Sequence, residues 1–568
     1  MHLRRLLRLL AGAALAGTFL LATAAPAWAH ATLESSSPPK DGVVSASPQQ
    51  ILLRFDEPVE VSIGGIRLYT CTGKRLTVGA PRHVNGHGSE IASSVDETLA
   101  PGVYLVNWRV ISADSHPVQS AFSFRVGAGA SPDVAGCANT STTKSSTTVG
   151  VLFGATRFLL FAGIALLIGG VVFLVLIARG TSAAPRIRVL IWTGWVVSVV
   201  ATVLGVMLQG PYAEGAGIGD AVKWTIINDI FDTRYGHYAE IRLILLALAL
   251  PLLLTLSAVD RRRPSVIWLV CASVVGVLLA ATPGLAGHAD TGDWTIFAVP
   301  LDTMHVLAMS VWLGGLVALL VGALGGGFSG GLRRAITLFS LLALWCVIAL
   351  VVTGLFASWR QVGFSIDGFT DTSYGNILLV KLAIVAGLVA LGAVSRSIVH
   401  KRQSAPLDAP DTVIAAVDEQ TTHGLRRSVG LEVLLGIAVL AVTALLVNAQ
   451  PARSALQPKL FTGTAVAGTG TNAIKISTIV DPARAGANTI HLYTSTVKGE
   501  DLPVRNMTAT LTLAATNTSL PVDLRRGGPN HFLDTAMLVP DKGTWQMQVH
   551  VLRGEFNDVA AVFNVPVH

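Results

Sequence analysis

The sequence predicts a polytopic α-helical membrane protein of about eight spanning helices, flanked by two exported β-sandwich domains. Three observations carry this. Of 568 residues, 51% are hydrophobic and only 13% charged, with a mean hydropathy of +0.59, outside the balance of a soluble globular protein. Eight apolar stretches, near 150–178, 187–208, 239–259, 264–286, 297–324, 335–357, 376–395 and 429–447, are each long enough to cross a bilayer as a helix. On either side of them, short alternating runs broken by Pro, Gly and Asn read as β-sandwiches.

In chain order, Arg4, Arg5 and Arg8 precede an apolar run from Leu9 to Ala25, and Ala27-Trp28-Ala29 closes it as a signal-peptidase site, so residues 1–29 are expected to be a signal peptide. Cleavage there makes His30 the first mature residue, with a free α-amino group beside its imidazole. That pair can chelate a metal; alternatively, cleavage falls wherever small residues allow and the histidine is incidental. Residues 30–130 carry "QQILLRFDEPV", "GVYLVNWRVIS" and "SAFSFRV" and form the first expected sandwich. A Ser/Thr-rich stretch in 131–149 is expected to be a linker, 150–450 the membrane domain, and 451–568 the second sandwich, with runs such as "AIKISTIV" and "WQMQVHVL".

An exported N-terminus fixes the topology, because even-numbered crossings then return the chain to the outside. Loops expected inside hold Arg179, Arg186, Arg188, Arg261, Arg262, Arg263, Arg333, Arg334, Arg396, Lys401, Arg402, Arg426 and Arg427. Loops expected outside hold only Lys223, Arg234 and Arg360, a strong positive-inside bias. The net charge of +7 is thus spent on topology rather than gathered into a nucleic-acid-binding patch. No dinucleotide fingerprint, Walker motif or phosphorylation-type aspartate suggests ATP-driven chemistry. Cys271 and Cys346 lie in apolar runs, while Cys71 and Cys137 fall in the exported region, where pairing is open.

Chemistry concentrates in "ISADSHPVQSAFSFRV". Asp114 and His116 are two apart just before a strand-like run; if the strand begins that early, both face the same way. An α-amine, two imidazoles and a carboxylate suit tetragonal Cu(II), with Zn(II) and Ni(II) weaker alternatives. No Met lies between residues 30 and 206, so a thioether Cu(I) site is not expected in this domain. Standing alone, the segment also reads as a surface turn capped by Asp114.

It does not stand alone: "HATLESSSPPKDGVVSASPQQILLRFDEPVE" and "SADSHPVQSAFSFRV" resemble CopC, a small copper-binding β-sandwich of bacterial envelopes. The resemblance implies Cu(II) bound by the His30 amine and imidazole, Asp114 and His116. The Met-rich loop of some members is replaced by "HVNGHGSEIA", which makes His83 and His87 candidate auxiliary ligands or, as the expected reading, exposed loop residues. The helical region resembles CopD, the membrane partner of CopC, through Arg157, "GHA" with His288, "LDTMHVLAMSVWLGGL" with Asp302, His305 and Trp312, "YGNILLVKLA" with Lys381 and "LRRSVGLEVLLG" with Glu432. Where the family tends to an Asn-Arg pair, this chain has Ser395-Arg396. Residues 458–568 more loosely resemble YtkA-like domains.

Ionisable residues within spanning helices are functional hypotheses by default. Asp302, His305 and Met309 fall on one stripe near the outer end of the fifth helix, with Met304 turned away. Carboxylate, imidazole and thioether together accept copper in either oxidation state. The alternative is packing: Asp302 paired with a basic residue, His305 bonded to a neighbouring carbonyl, Met309 in the core. Arg157 and Glu432 are expected to pair as buried charges, and His288 is an entry-site candidate. In the second sandwich His491, His531 and His550, with Met507, Met537 and Met547, are expected to serve packing or the surface.

The expected function is non-enzymatic: capture of Cu(II) outside the cytoplasmic membrane and its passage to the membrane domain, for import or for envelope copper homeostasis and resistance. Partners are the copper ion, the bilayer and an extracytoplasmic copper donor, with no nucleic acid and no ATP. Two other readings are a histidine-brace copper monooxygenase, disfavoured by a sandwich of only about 100 residues, and a membrane haem or quinone redox protein acting on copper, which would need paired axial histidines.

Overall fold

A computed structural model describes residues 31, 33–40, 42–84, 86–113, 115–127, 147–291, 294–322, 332–363, 365–403, 411–456, 461–470, 473–497, 500–553 and 558–567. The signal-peptide expectation, His30, Asp114 and Cys137 lie outside the described residues.

The N-terminal sandwich pairs a sheet in the order Leu33–Ser37, Gln50–Phe55, His87–Ser94 and Arg82–Val84 with one in the order Gly42–Val44, Pro117–Val126, Gly102–Ser112, Val59–Thr70 and Arg75–Leu76. Alternation builds it: in Gln50–Phe55, Ile51, Leu53 and Phe55 point inward to a shared core with Leu68, Val106, Phe122 and Phe124. Phe55 meets Trp108 edge to face at 5.2 Å, a contact worth about 0.5–1.5 kcal/mol beyond burial. Cys71 is disulfide-bonded, and Cys271 and Cys346 carry free thiols.

Among the described residues, eight helices are long and apolar enough to cross a membrane: α1 (Thr147–Phe173), α2 (Ala184–Glu214), α3 (Arg234–Leu254), α4 (Val266–Leu285), α5 (Thr295–Ala318), α6 (Leu332–Val362), α7 (Ser373–Gln403) and α8 (Asp411–Val447). Several outrun their apolar windows, because helical backbone satisfies its own hydrogen bonds beyond the hydrocarbon as well as in it. Small residues let the central helices touch: a Cβ on Gly163 of α1 would strike Gly194 and Ser198 of α2, and one on Gly314 of α5 would strike Ala165 of α1. Two loops at one end are tied together, Asp260 accepting from Gly180 N at 2.9 Å and Arg188 Nη1 at 3.3 Å.

The C-terminal sandwich pairs a sheet in the order Phe461–Ala467, Ile474–Asp481, Gly486–Thr496, His531–Val539 and Arg525–Arg526 with one in the order Thr518–Val522, Asn506–Leu513, Gly543–Leu552 and Asp558–Val567. Met507, Met537, Met547 and Trp545 are buried in its core. Both sandwiches meet the same end of the bundle, its mouth: the first bonds to Val447, Ala286 and Ala213, and Lys542 of the second lies 3.3 Å from Asp367.

Candidate metal path at the bundle mouth

Helices α2, α4, α6 and α8 all end at this mouth, where Leu446, Val362 and Tyr374 form one cluster. A helix C-terminus leaves carbonyls without intrahelical donors and carries the negative end of the dipole, which favours cations. The N-terminal sandwich supplies donors for these carbonyls. Arg109 donates through Nε to Ala213 O and through Nη2 to Tyr212 O at 3.1 Å, both in the last turn of α2. Ser115 Oγ donates to Ala286 O, just past α4, at 2.8 Å. His116 Nε2 lies 3.0 Å from Val447 O at the end of α8, and Arg157 Nη1 of α1 donates to the same oxygen at 2.9 Å.

The turn itself differs from expectation. The strand begins at Pro117, not earlier, and Ser115 adopts a left-handed φ of 68°, so Ser115 and His116 precede the strand rather than alternate along it. Nor is it a surface turn: Ser115 is 1% and His116 4% exposed. Because a carbonyl only accepts, His116 Nε2 carries the hydrogen, and the lone pair of the neutral ring falls on Nδ1. Gln209 Nε2 of α2 reaches Ser115 O at 3.4 Å, and Ile111 of the sandwich is buried with Phe153, Val206 and Ala286.

A second anchor lies at Arg234, whose backbone N–H donates to Glu60 Oε1 at 2.6 Å and whose side chain reaches Leu285 O at 3.0 Å, Ala113 O at 3.3 Å and the Asp290 carboxylate. Burial pushes the Glu60 carboxyl above its ordinary range against the pull of Arg234, and burial lowers the Arg109 guanidinium.

Directly beneath this docked turn stands Asp302. A Cβ on Gly284 of α4 would fall on the Asp302 carboxylate, so the glycine is what lets the acid approach, two residues from the Ala286 carbonyl held by Ser115. Lys381 of α7 acts electrostatically on both Asp302 and His305. His305 Nδ1 lies 2.8 Å from Thr353 Oγ1 of α6, not against a helix carbonyl. Since that hydroxyl donates to Ala349 O at 2.7 Å, it accepts from Nδ1–H, and the lone pair of the neutral ring falls on Nε2. Met309 packs with Phe161, Leu313 and Leu440, while Met304 faces outward at 39% exposure. His288 opens a short 3-10 turn, His288–Asp290, at the mouth; its side chain lies outside the described residues. Among the described residues, no three His, Cys, Asp or Glu side chains cluster as a ready-made metal cage.

Two expectations change. Arg157 and Glu432 do not pair: Arg157 bonds Val447 O, whereas Glu432 lies fifteen residues earlier on the same helix, about 22 Å away along its axis. Glu432, 5% exposed, instead lines a largely apolar cavity with Trp312, Phe339, Leu388 and Val429. His83 and His87 are exposed as expected but sit on strands of a hairpin rather than in a loop. Sequence reasoning passed over Arg109, Glu60 and Gln209, whose role exists only across two domains. It also passed over Arg242 of α3, 2% exposed and donating to Thr282 Oγ1 at 2.8 Å; a charge inside a spanning helix was the available signal.

The fold and site define a multi-pass membrane protein whose N-terminal β-sandwich inserts a histidine turn into the mouth of its own helix bundle. Residues 33–127 match the CopC domain family, 147–296 the copper resistance protein D-like N-terminal domain and 333–446 copper resistance protein D. The chain is similar to the copper transport protein CutJ of Bacillus subtilis (strain 168), 26% identical over 572 residues, covering 96% of this chain and 97% of that one. It is 35% identical over 124 residues to copper resistance protein C of Escherichia coli, 20% of this chain and 94% of that one. Among solved structures, CopC from Methylosinus trichosporium OB3b shares 32% identity over 17% of this chain and 93% of that chain, with a TM-score of 0.16. The chain belongs to the CopC/CopD copper family, as a fusion of the two proteins.

Proposed function

We propose that this protein captures Cu(II) in its exported N-terminal sandwich and passes it to the helix bundle, for copper import or for envelope copper homeostasis and resistance, without enzymatic turnover. Copper is the cargo. The capture set is His30 through its α-amine and imidazole, Asp114 and His116, and the onward path runs by His288, Asp302 and His305, with Met309 one turn deeper. The observation that carries this reading is the position of the His116 turn, bonded to Ala286 and Val447 immediately above Asp302. Four helix C-termini around the mouth favour a cation, and an inside-negative potential favours inward movement by about 2.3 kcal/mol per charge per 100 mV. Tethering donor and acceptor in one chain raises their effective concentration. The names of CutJ and of copper resistance protein C agree with this cargo. Both sandwiches are placed outside the membrane, in keeping with the basic loops at the opposite end of the bundle, and the C-terminal one, read as YtkA-like, stands as an accessory domain.

The test is electron paramagnetic resonance of the intact protein in nanodiscs titrated with Cu(II). One tight, tetragonal, nitrogen-rich signal is expected, lost in His116→Ala and when an alanine is added before His30. A tight signal that survives both changes refutes the capture set.

A further inference from the structure

Two histidines outside the copper path meet on the C-terminal sandwich. His491 lies on Gly486–Thr496 and His531 opens His531–Val539, antiparallel neighbours in which Tyr493 stands opposite His531 and His491 opposite Leu533. Side chains two apart on one strand, and those directly opposite across a pair, share a face. The face with His491, Tyr493 and His531 is thus the one away from the core, where Leu492 and Phe532 point. All three side chains are half-buried.

The geometry is that of a pair of donors. His491 Nδ1 and His531 Nε2 are 3.0 Å apart, with ring planes 11° from parallel and centroids at 5.2 Å. The Tyr493 ring lies against His531 at 4.4 Å and 13°, walling one side. Gly527 forms a floor, since a Cβ there would press on the His531 ring. A first-row metal holds imidazole nitrogen at about 2.0–2.1 Å, so two nitrogens bound side by side stand about 3 Å apart. Moving the ring hydrogens to His491 Nε2 and His531 Nδ1 frees both facing lone pairs without loss of a proton from either neutral ring.

Two further features favour a ligand over a mere hydrogen bond. Burial, reinforced by the neighbouring His491, lowers the His531 imidazole to about 4, so the ring is neutral and ligand-ready at neutral pH. The pair also sits near the seam with the N-terminal sandwich: Asn530, beside His531, donates to Asp501 Oδ1 at 3.2 Å, and Asp501 Oδ2 meets Arg125 of the N-terminal sandwich at 3.9 Å.

We propose that His491 and His531, walled by Tyr493, form a second metal site on the C-terminal sandwich, taking Cu(II) through two imidazole nitrogens and water. Sulfur plays no part, because Met507, Met537 and Met547 lie in the core on the other face, and nitrogen donors suit Cu(II) over Cu(I). The site holds an ion close to the capture domain. The choice of copper rests on the function proposed above; the two-nitrogen geometry does not.

The experiment is Cu(II) titration of the full-length protein in nanodiscs, followed by equilibrium dialysis and pulsed electron paramagnetic resonance. Two classes of bound Cu(II) are expected, the weaker coordinated by two imidazoles. His491→Ala and His531→Ala should each weaken that class at least about tenfold, while His116→Ala removes the tighter class and leaves this one. His531→Gln, which keeps bulk and polarity, should reduce the imidazole count of the weaker class from two to one even if the alanine variants misfold. A single class in the wild type, or a weaker class unchanged by His531→Gln, overturns the proposal. A tighter class that survives His116→Ala refutes the capture set and leaves this site standing.

Discussion

The two sandwiches of this chain share an architecture and differ in how they meet the bundle. The N-terminal one presents Arg109, Ser115 and His116 to carbonyls at the ends of α2, α4 and α8, in a buried seam with Ile111 and Phe153. The C-terminal one is joined through Lys542 and Asp367, both exposed, and through Asp501 and Arg125 at 3.9 Å. Exposed ion pairs contribute little, whereas hydrogen bonds from charged donors to otherwise orphaned carbonyls contribute about 1.5–3 kcal/mol each. The comparison teaches that the fold of a sandwich does not assign its role; the groups it brings to the mouth do.

The largest expected effect falls on the first sandwich alone. His116→Ala should weaken tight Cu(II) binding by at least about 100-fold in isothermal titration, with the melting of the C-terminal sandwich unchanged. Next, Gly284→Val should crowd the Asp302 carboxylate, at an overpacking cost of about 1–3 kcal/mol. It should cut copper passage about tenfold or more in vesicle assays while leaving capture intact, which separates the turn from the path beneath it.

A smaller effect sharpens the contrast between the two seams. Arg109→Ala should raise hydrogen exchange across residues 109–117, consistent with a loss of about 1.5–3 kcal/mol of docking free energy. Lys542→Ala should change exchange at the second seam by less than about 1 kcal/mol. The smallest effect is a pH dependence. Burial holds the Glu60 carboxyl above its ordinary range, so the docked state favours the protonated acid. Its contribution is full below the ordinary carboxylate range and is lost as pH rises through the raised value. Exchange across the seam should therefore increase with pH in the wild type and flatten in Glu60→Gln, which keeps an acceptor for Arg234 N–H.

Much of the fold was legible because each element announces itself locally. Alternation marks the strands, as in Gln50–Phe55, and length with apolarity marks the helices. The stripe of Asp302, His305 and Met309 followed from helical periodicity, and Met304 turned outward as that periodicity required. What sequence hid was contact between distant segments. The Ser115 turn buried against Ala286, the carbonyl of Val447 shared by His116 and Arg157, and Gly284 opening space for Asp302 join residues more than 100 positions apart in most cases. Carbonyls have no letter in a sequence, so a mouth built from helix ends is invisible there. The expected pairing of Arg157 with Glu432 failed for a related reason: Glu432 is buried and Arg157 half-buried, but they lie at different depths along the helix axis.

The most direct test of the central claim, that copper caught at His116 is handed to the stripe beneath it, is a single-turnover transfer measurement. Intact protein in proteoliposomes is loaded with one equivalent of Cu(II), and the decay of its tetragonal signal is followed together with copper appearing on the far side. The account predicts that His305→Ala and Asp302→Asn load normally but hold the signal, with far-side copper falling to the level of empty vesicles. Transfer at the wild-type rate in both variants would contradict it.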